Sequence, residues 1–271
     1  MTRFSRASIA LTAAIAAPLA LAWGQAAHAE ALRSFTVPWT GGDRLFVAMG
    51  ADVRYVQGPV GKVVVTGPAQ AIRDVVVDHG VIRRERRSWG WAWWMGWDWN
   101  GWHGERDVHV VVTAPHIDKA GVSGSGHLDL GRLSQDRIDL EVSGSGAVDA
   151  SGQFKTLRVS VSGSGAARLG QVNVGDLSAD LSGSGLIKGA GAATTLHLGI
   201  SGSGVGDLGA LTVQDVDAQL SGSGSARLAP RRSADLGVFG SGTIRLLSRP
   251  PQLNSHRAGS GAILLPDGSR A

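Results

Sequence analysis

Residues 138–146 read IDLEVSGSG. Ile138, Leu140 and Val142 alternate with Asp139, Glu141 and Ser143, and the chain then reaches Gly144-Ser145-Gly146. Apolar residues at every second position belong to a strand with one face buried. The tripeptide recurs with its first glycine at 124, 144, 163, 183, 202, 222, 240 and 259, which is eight copies at intervals of 18–20 residues. With that glycine as position 0, positions −2, −4 and −6 are mostly apolar, as in Val161, Val159 and Leu157 or Ile200, Leu198 and Leu196. Positions +4 and +6 are mostly apolar too, as in Leu128 and Leu130 or Ile244 and Leu246. A third apolar position falls near +9, at Leu133, Val172 and Leu211. The odd positions are largely polar.

A unit of about 19 residues built from such strands cannot bury its inner face alone. Stacking similar units in register solves this, each coil adding a rung about 4.8 Å above the last. The pattern therefore predicts an all-β fold, a parallel β-helix of 19–20-residue coils. Crossovers between parallel strands are overwhelmingly right-handed, so the expected coil is right-handed. Glycines 0 and +2 share the inward parity and mark a bend or a close approach of walls. The last coil breaks the rule, with Arg257 at −2 and Ser255 at −4, and Leu253 to Ala271 reads as a terminal cap.

Composition agrees with this architecture and excludes several functions. Glycine supplies 40 of 271 residues, a share about twice the usual ~7%. There is no cysteine, so disulfides, thiolate metal sites and cysteine nucleophiles are excluded. The first residues read as an export leader: Arg3 and Arg6, a small apolar run from Ala7 to Trp23, and Ala27-His28-Ala29 as the cleavage site. Residues 1–29 are thus a signal peptide, and 30–271 a single domain destined for the periplasm or cell surface. Without Arg3 and Arg6 the formal charge falls from +4 to +2, too small for a nucleic-acid partner. Within the domain, 30–115 reads as an N-terminal β region and 116–271 as the repeat coils and cap.

The repeated polar positions read as structural. Position +5 holds Asp129, Asp149, Arg168, Lys188, Asp207, Arg227 and Arg245, one charged ladder on the outer wall. Exposed pairs of this kind contribute about 0–1 kcal/mol each and serve to hold register. Asp129 and Asp149, one rung apart, match the spacing of a retaining glycosidase pair, but a working acid needs burial to raise its pKa. The equivalent serines of the tripeptides do not resemble one activated nucleophile, and stacked serines bonded to one another are the expected state. The pattern points to no catalytic residue, metal site or cofactor.

One segment departs from the rest. Residues 88–105 read SWGWAWWMGWDWNGWHGE and hold seven of the nine tryptophans: Trp89, Trp91, Trp93, Trp94, Trp97, Trp99 and Trp102. Asn100-Gly101 is a hairpin-turn signal, with Trp99 and Trp102 as a cross-strand pair. An extended hairpin over 88–104 follows, rooted among Arg83, Arg84, Arg86 and Arg87. It reads as a lid over the β-helix, as a surface for glycan or protein, or as an anchor in an anionic membrane interface. The seven tryptophans are the candidate ligand-binding residues.

The order DRLFVAMGADVRYVQG, KVVVTGPAQAIRDVVVDHGVIR, a strand ending VTAP, and repeated xVSGSG resembles the head GIN domain family, labelled an auto-transporter adhesin. The resemblance spans roughly Leu32 to Pro266 and implies a right-handed β-helix, with no catalytic residues to carry over. The Trp-rich insert is outside the family pattern. Together these features predict an exported, non-enzymatic envelope protein, an adhesin-like binding module that meets glycan, protein or an anionic membrane surface. The alternatives are a polysaccharide-acting β-helix enzyme and a structural module that self-associates into homo-oligomers.

Overall fold

The computed structural model of the chain describes residues 32–85 and 107–271. The signal-peptide reading of residues 1–29 and the Trp-rich hairpin, whose seven tryptophans lie between 86 and 106, fall outside them. The repeat folds as the alternation requires. Six long strands each make almost a whole coil: β9 (His127–Gly144), β10 (Ala147–Gly163), β11 (Ala166–Gly183), β12 (Leu186–Gly202), β13 (Val205–Gly222) and β14 (Ser225–Gly240). Each pairs in parallel with the next, and the glycines of successive tripeptides are register partners. The result is a parallel β-solenoid of about seven turns.

Coils of unequal length stay in register because the difference is absorbed at one corner. Register shifts fall just after position +5 or +6, as between Asp149 and Ser151 or between Leu169 and Gln171, with one more between Val213 and Asp215 where β13 meets β14. An extra residue there bulges without flipping the inward face of the strands on either side. Positions −2 and −4 point inward in every coil before the last, and Val142, Val161, Leu181, Ile200, Leu220 and Val238 are all at most 2% exposed. Apart from Tyr55, with its phenolic hydroxyl, no polar or charged side chain belongs to a buried residue among the described residues. Where an inward position is glycine, a larger neighbour fills the space. Leu208 reaches over Gly189, and Ile200 and Leu198 approach Gly206.

The tripeptide is the tightest part of each coil. All eight position-0 glycines have φ between +104° and +123°, which L side chains rarely adopt. Backbone lies directly on backbone there: the Ser184 amide donates to the Gly163 carbonyl at 2.9 Å, and the Leu186 amide to the Gly165 carbonyl at 3.0 Å. A Cβ on Gly183 would lie 2.5 Å from the Gly163 oxygen, and one on Gly185 would lie 2.5 Å from the Gly165 oxygen. The shared inward parity of the two glycines thus reflects a bend at the first and a close approach at the second.

The N-terminal region continues the solenoid, but out of chain order. The rung formed by β2 (Arg44–Ala48) and β3 (Asp52–Gln57) stacks in parallel on β8 (Lys119–Gly124) and β9. Its other edge receives β6 (Val81–Arg84) and β7 (His109–Ala114), also in parallel. Antiparallel strands then close this end. β4 (Lys62–Pro68) lies on β7, β1 (Leu32–Pro38) on β4, and β5 (Val75–Asp78) on β6, with one helical turn at α1 (Ala69–Ile72). Tyr55 is buried there, donates its hydroxyl to the Ala114 carbonyl at 2.8 Å, and has its phenol pushed up to about 12 by desolvation.

At the other end, β15 (Thr243–Leu246) and β16 (Gln252–Ala258) stack on β14, and β17 (Ala262–Leu264) on β15. Ser255 and Arg257 stand in register with Leu236 and Val238 and are exposed, so the last coil carries polar groups where earlier coils carry core. The tail folds back, with the Ala271 amide donating to the Ile263 carbonyl at 3.0 Å.

Gly183→Ala should cost at least about 2 kcal/mol, because it adds backbone strain to a steric conflict with the rung below. Ser184→Ala, one residue on and exposed, should stay within about 0.5 kcal/mol. Urea midpoints of the two variants against the parent check this, and equal midpoints for all three would contradict it.

Candidate binding surface

The outward side chains form columns, one residue per rung. The +5 column runs Asp129, Asp149, Arg168, Lys188, Asp207, Arg227 and Arg245, each in register with the next, and Arg54 on β3 extends it at the N-terminal end. Ion pairs join Arg54 to Asp129 at 4.0 Å, Arg168 to Asp149 at 3.4 Å, and Arg227 to Asp207 at 3.9 Å. Asp149 also meets His127 Nε2 at 2.8 Å, and Asp129 accepts the Gly131 amide at 2.8 Å. Asp129 is thus held by Arg54 and the Gly131 amide, and Asp149 by Arg168 and His127, on an open wall.

The serines of the tripeptides do not behave as expected. Their hydroxyls point outward, and the one bond between them joins Ser241 and Ser260 at 3.1 Å. The reason is geometric. Side chains stacked in the same rotamer repeat at the rung spacing of about 4.8 Å, whereas hydroxyls bond at about 2.7–2.8 Å. Only a pair that leans together closes the gap.

Beside this corner lies a groove that sequence reasoning missed. It occupies about 430 Å³ and crosses β10 to β14, over positions −3 and −1. Its floor at −3 runs Ser160, Asp180, Gly199 and Gln219, with Gly237 next in register beyond it, and its rim at −1 runs Ser162, Ser182, Ser201, Ser221 and Phe239, also in register. Phe239 is 47% exposed. The signal was present as a break in pattern, because position −1 is serine in six successive coils before Phe239.

A second polar surface surrounds Asp215, Asp217 and Asp235 with His197. Asp215 is engaged: Arg232 Nε donates to it at 2.7 Å and the Ser233 hydroxyl at 2.6 Å, with a further contact from the Arg232 Nη2. The Arg232 and Ser233 hydrogen bonds lower its pKa to about 2. Among the described residues no group of three or more His, Asp or Glu is placed to hold a metal ion. At the root of the Trp-rich segment, Arg83 is exposed and Arg84 Nη2 donates to the Ala71 carbonyl at 3.3 Å.

Fold and surface together define an all-β solenoid with polar ladders on its outer wall. Residues 43–170 and 152–250 match the family described as "Putative auto-transporter adhesin, head GIN domain", and the chain belongs to that family. No curated protein is significantly similar to it. Among solved structures it is similar to a "putative lipid binding protein" from Parabacteroides distasonis, at 19% identity and a TM-score of 0.74 over 86% of this chain and 96% of that one. It is also similar to a "putative adhesin" from Parabacteroides merdae, at 17% identity and a TM-score of 0.71 over 86% and 95%. A "putative adhesin" from Bacteroides fragilis matches at 16% identity and a TM-score of 0.60 over 88% and 98%. At these identities the likeness is one of fold.

The carboxyl of Asp215 should titrate near 2 in the folded protein, and Arg232→Gln should move it back toward the ordinary carboxylate range. A depressed folded-state pKa stabilises the corner above the unfolded carboxylate range, and that contribution is lost as pH falls toward about 2. Carboxyl-detected NMR titration of parent and variant reads both, and an unchanged midpoint in the variant would contradict the assignment.

Proposed function

We propose that this protein is an exported, non-enzymatic binding module of the cell envelope, adhesin-like in role. In this reading residues 1–29 are the signal peptide, cut after Ala29, and residues 30–271 are one domain. The observation that carries the reading is the outer wall itself: a rigid stack of coils that holds ordered columns of polar groups open to solvent, on a chain whose family is described as adhesin-like. A stacked scaffold of this kind offers an extended surface to a partner, as solenoids do. The names carried by similar solved structures, adhesin and lipid binding protein, also favour a binding role.

In this proposal Trp89, Trp91, Trp93, Trp94, Trp97, Trp99 and Trp102 supply an aromatic contact surface. Large amphipathic rings dominate binding hot spots and favour membrane interfaces. Envelope glycan, a protein partner and anionic lipid are the three partner classes.

Tryptophan emission tests the proposal directly. Trp39 is half-buried and donates Nε1 to the Gly42 carbonyl at 3.2 Å. It is the one tryptophan between residues 30 and 271 outside the segment, so Trp39→Phe leaves a signal from the segment alone. We expect red-shifted emission, quenched by acrylamide and shifted by one class of additive among phosphatidylglycerol vesicles and oligosaccharides. Blue, protected emission that ignores every additive would overturn the role of the segment.

A further inference from the structure

The groove over β10 to β14 has a chemistry of its own. Gly199 stands between Asp180 and Gln219 in the floor column and leaves a notch there. A Cβ on Gly199 would lie 2.8 Å from Asp180 Oδ1, so the carboxylate leans over the notch. One rung beyond Gln219, the Phe239 ring lies against Gly237, where a Cβ would come 3.1 Å from its Cε2. The glycine backbone thus supports one part of the ring, while nearly half of the residue stays open to solvent.

The polar groups around the notch are unengaged. No protein hydrogen bond or ion pair occupies the side chains of Asp180, Ser182, Ser201, Gln219 or Ser221. A carboxylate, a carboxamide and a row of hydroxyls therefore face solvent beside an aromatic ring. Asp180 is the one charged side chain in the lining, which disfavours phosphate and other anions.

We infer that this groove is a binding site for a neutral oligosaccharide, with Phe239 as its stacking platform and Asp180 and Gln219 as its hydrogen-bonding clamp. This rests on the binding-module reading above and assigns it a place and a ligand class. A sugar ring presents an apolar C–H face and a rim of hydroxyls. The first fits the open face of Phe239, and the second donates to a carboxylate in strong charge-assisted bonds. Asp180 and Gln219 stand two rungs apart, roughly 10 Å, and Phe239 one rung further. That span suits a chain of two or three rings rather than a single sugar.

The test uses the protein from residue 30 onward with two probes, cellohexaose and chitohexaose, in isothermal titration calorimetry. Phosphatidylglycerol vesicles run in parallel. Phe239→Ala should weaken binding of the preferred hexasaccharide by at least about tenfold, the scale of a lost stacking contact. Phe239→Tyr should retain it. Gly199→Leu fills the notch and Asp180→Ala removes the acceptor, and each should weaken binding several-fold. Asp180 is exposed, so the last variant reports on the site even where another fails to fold. Hexasaccharide binding that none of the variants weakens would overturn the groove as the site and leave the binding-module reading standing. Binding to vesicles with none to either hexasaccharide would overturn the ligand class alone. No binding to any of the three probes would overturn the inference and leave a protein partner as the remaining class for the module.

Discussion

Every coil of this protein depends on one close approach. From the second Gly-Ser-Gly onward the backbone of one rung rests on the backbone of the rung below, with an amide-to-carbonyl distance of 2.9 Å repeated from Ser145 to Ser241. The φ of the first glycine turns the corner, and the missing Cβ of both glycines lets the rungs touch. Position 0 is the hinge of the coil, and position +2 is where the chain re-enters the wall. Everything outward follows from that stacking, including the columns of charge and the groove.

The corner explains the division of labour within a coil. Apolar side chains at −2, −4, +4 and +6 exclude water, and each fully buried Leu, Ile or Val contributes roughly 1.5–3 kcal/mol. They do not set the register, since a slip by two residues would bury a similar face. The glycines set it, because any other residue brought over position 0 or +2 of the neighbouring rung would collide with backbone. Length differences are then moved to the opposite corner, where bulges near Ala150 and Leu169 absorb them.

Much of this was legible in residues 124–261, because a parallel stack makes the period of the sequence equal to the period of the structure. The N-terminal rung was less so. That β2 and β3 lie between β6–β7 and β8–β9 is a long-range pairing, and no local pattern in RLFVA or DVRYVQ distinguishes it from simple succession. The bonding of the serines is not legible in the repeat, because alignment in register brings side chains to the rung spacing, which is too wide for a hydroxyl pair. The groove is hidden in the sequence for a related reason. Its key residues, Gly199 and Phe239, are departures from the repeat, whereas the repeat itself commands the reading. A solenoid carries its fold in what recurs and its binding chemistry in what does not.

Amide hydrogen exchange followed by mass spectrometry tests the central claim most directly. If the glycine corner holds the stack together, peptides covering residues 143–147, 162–166, 182–186 and 201–205 will be as protected as the core strands, although their serine side chains are open to solvent. Exchange at these corners as fast as in exposed loops, with the strands still protected, would contradict the account.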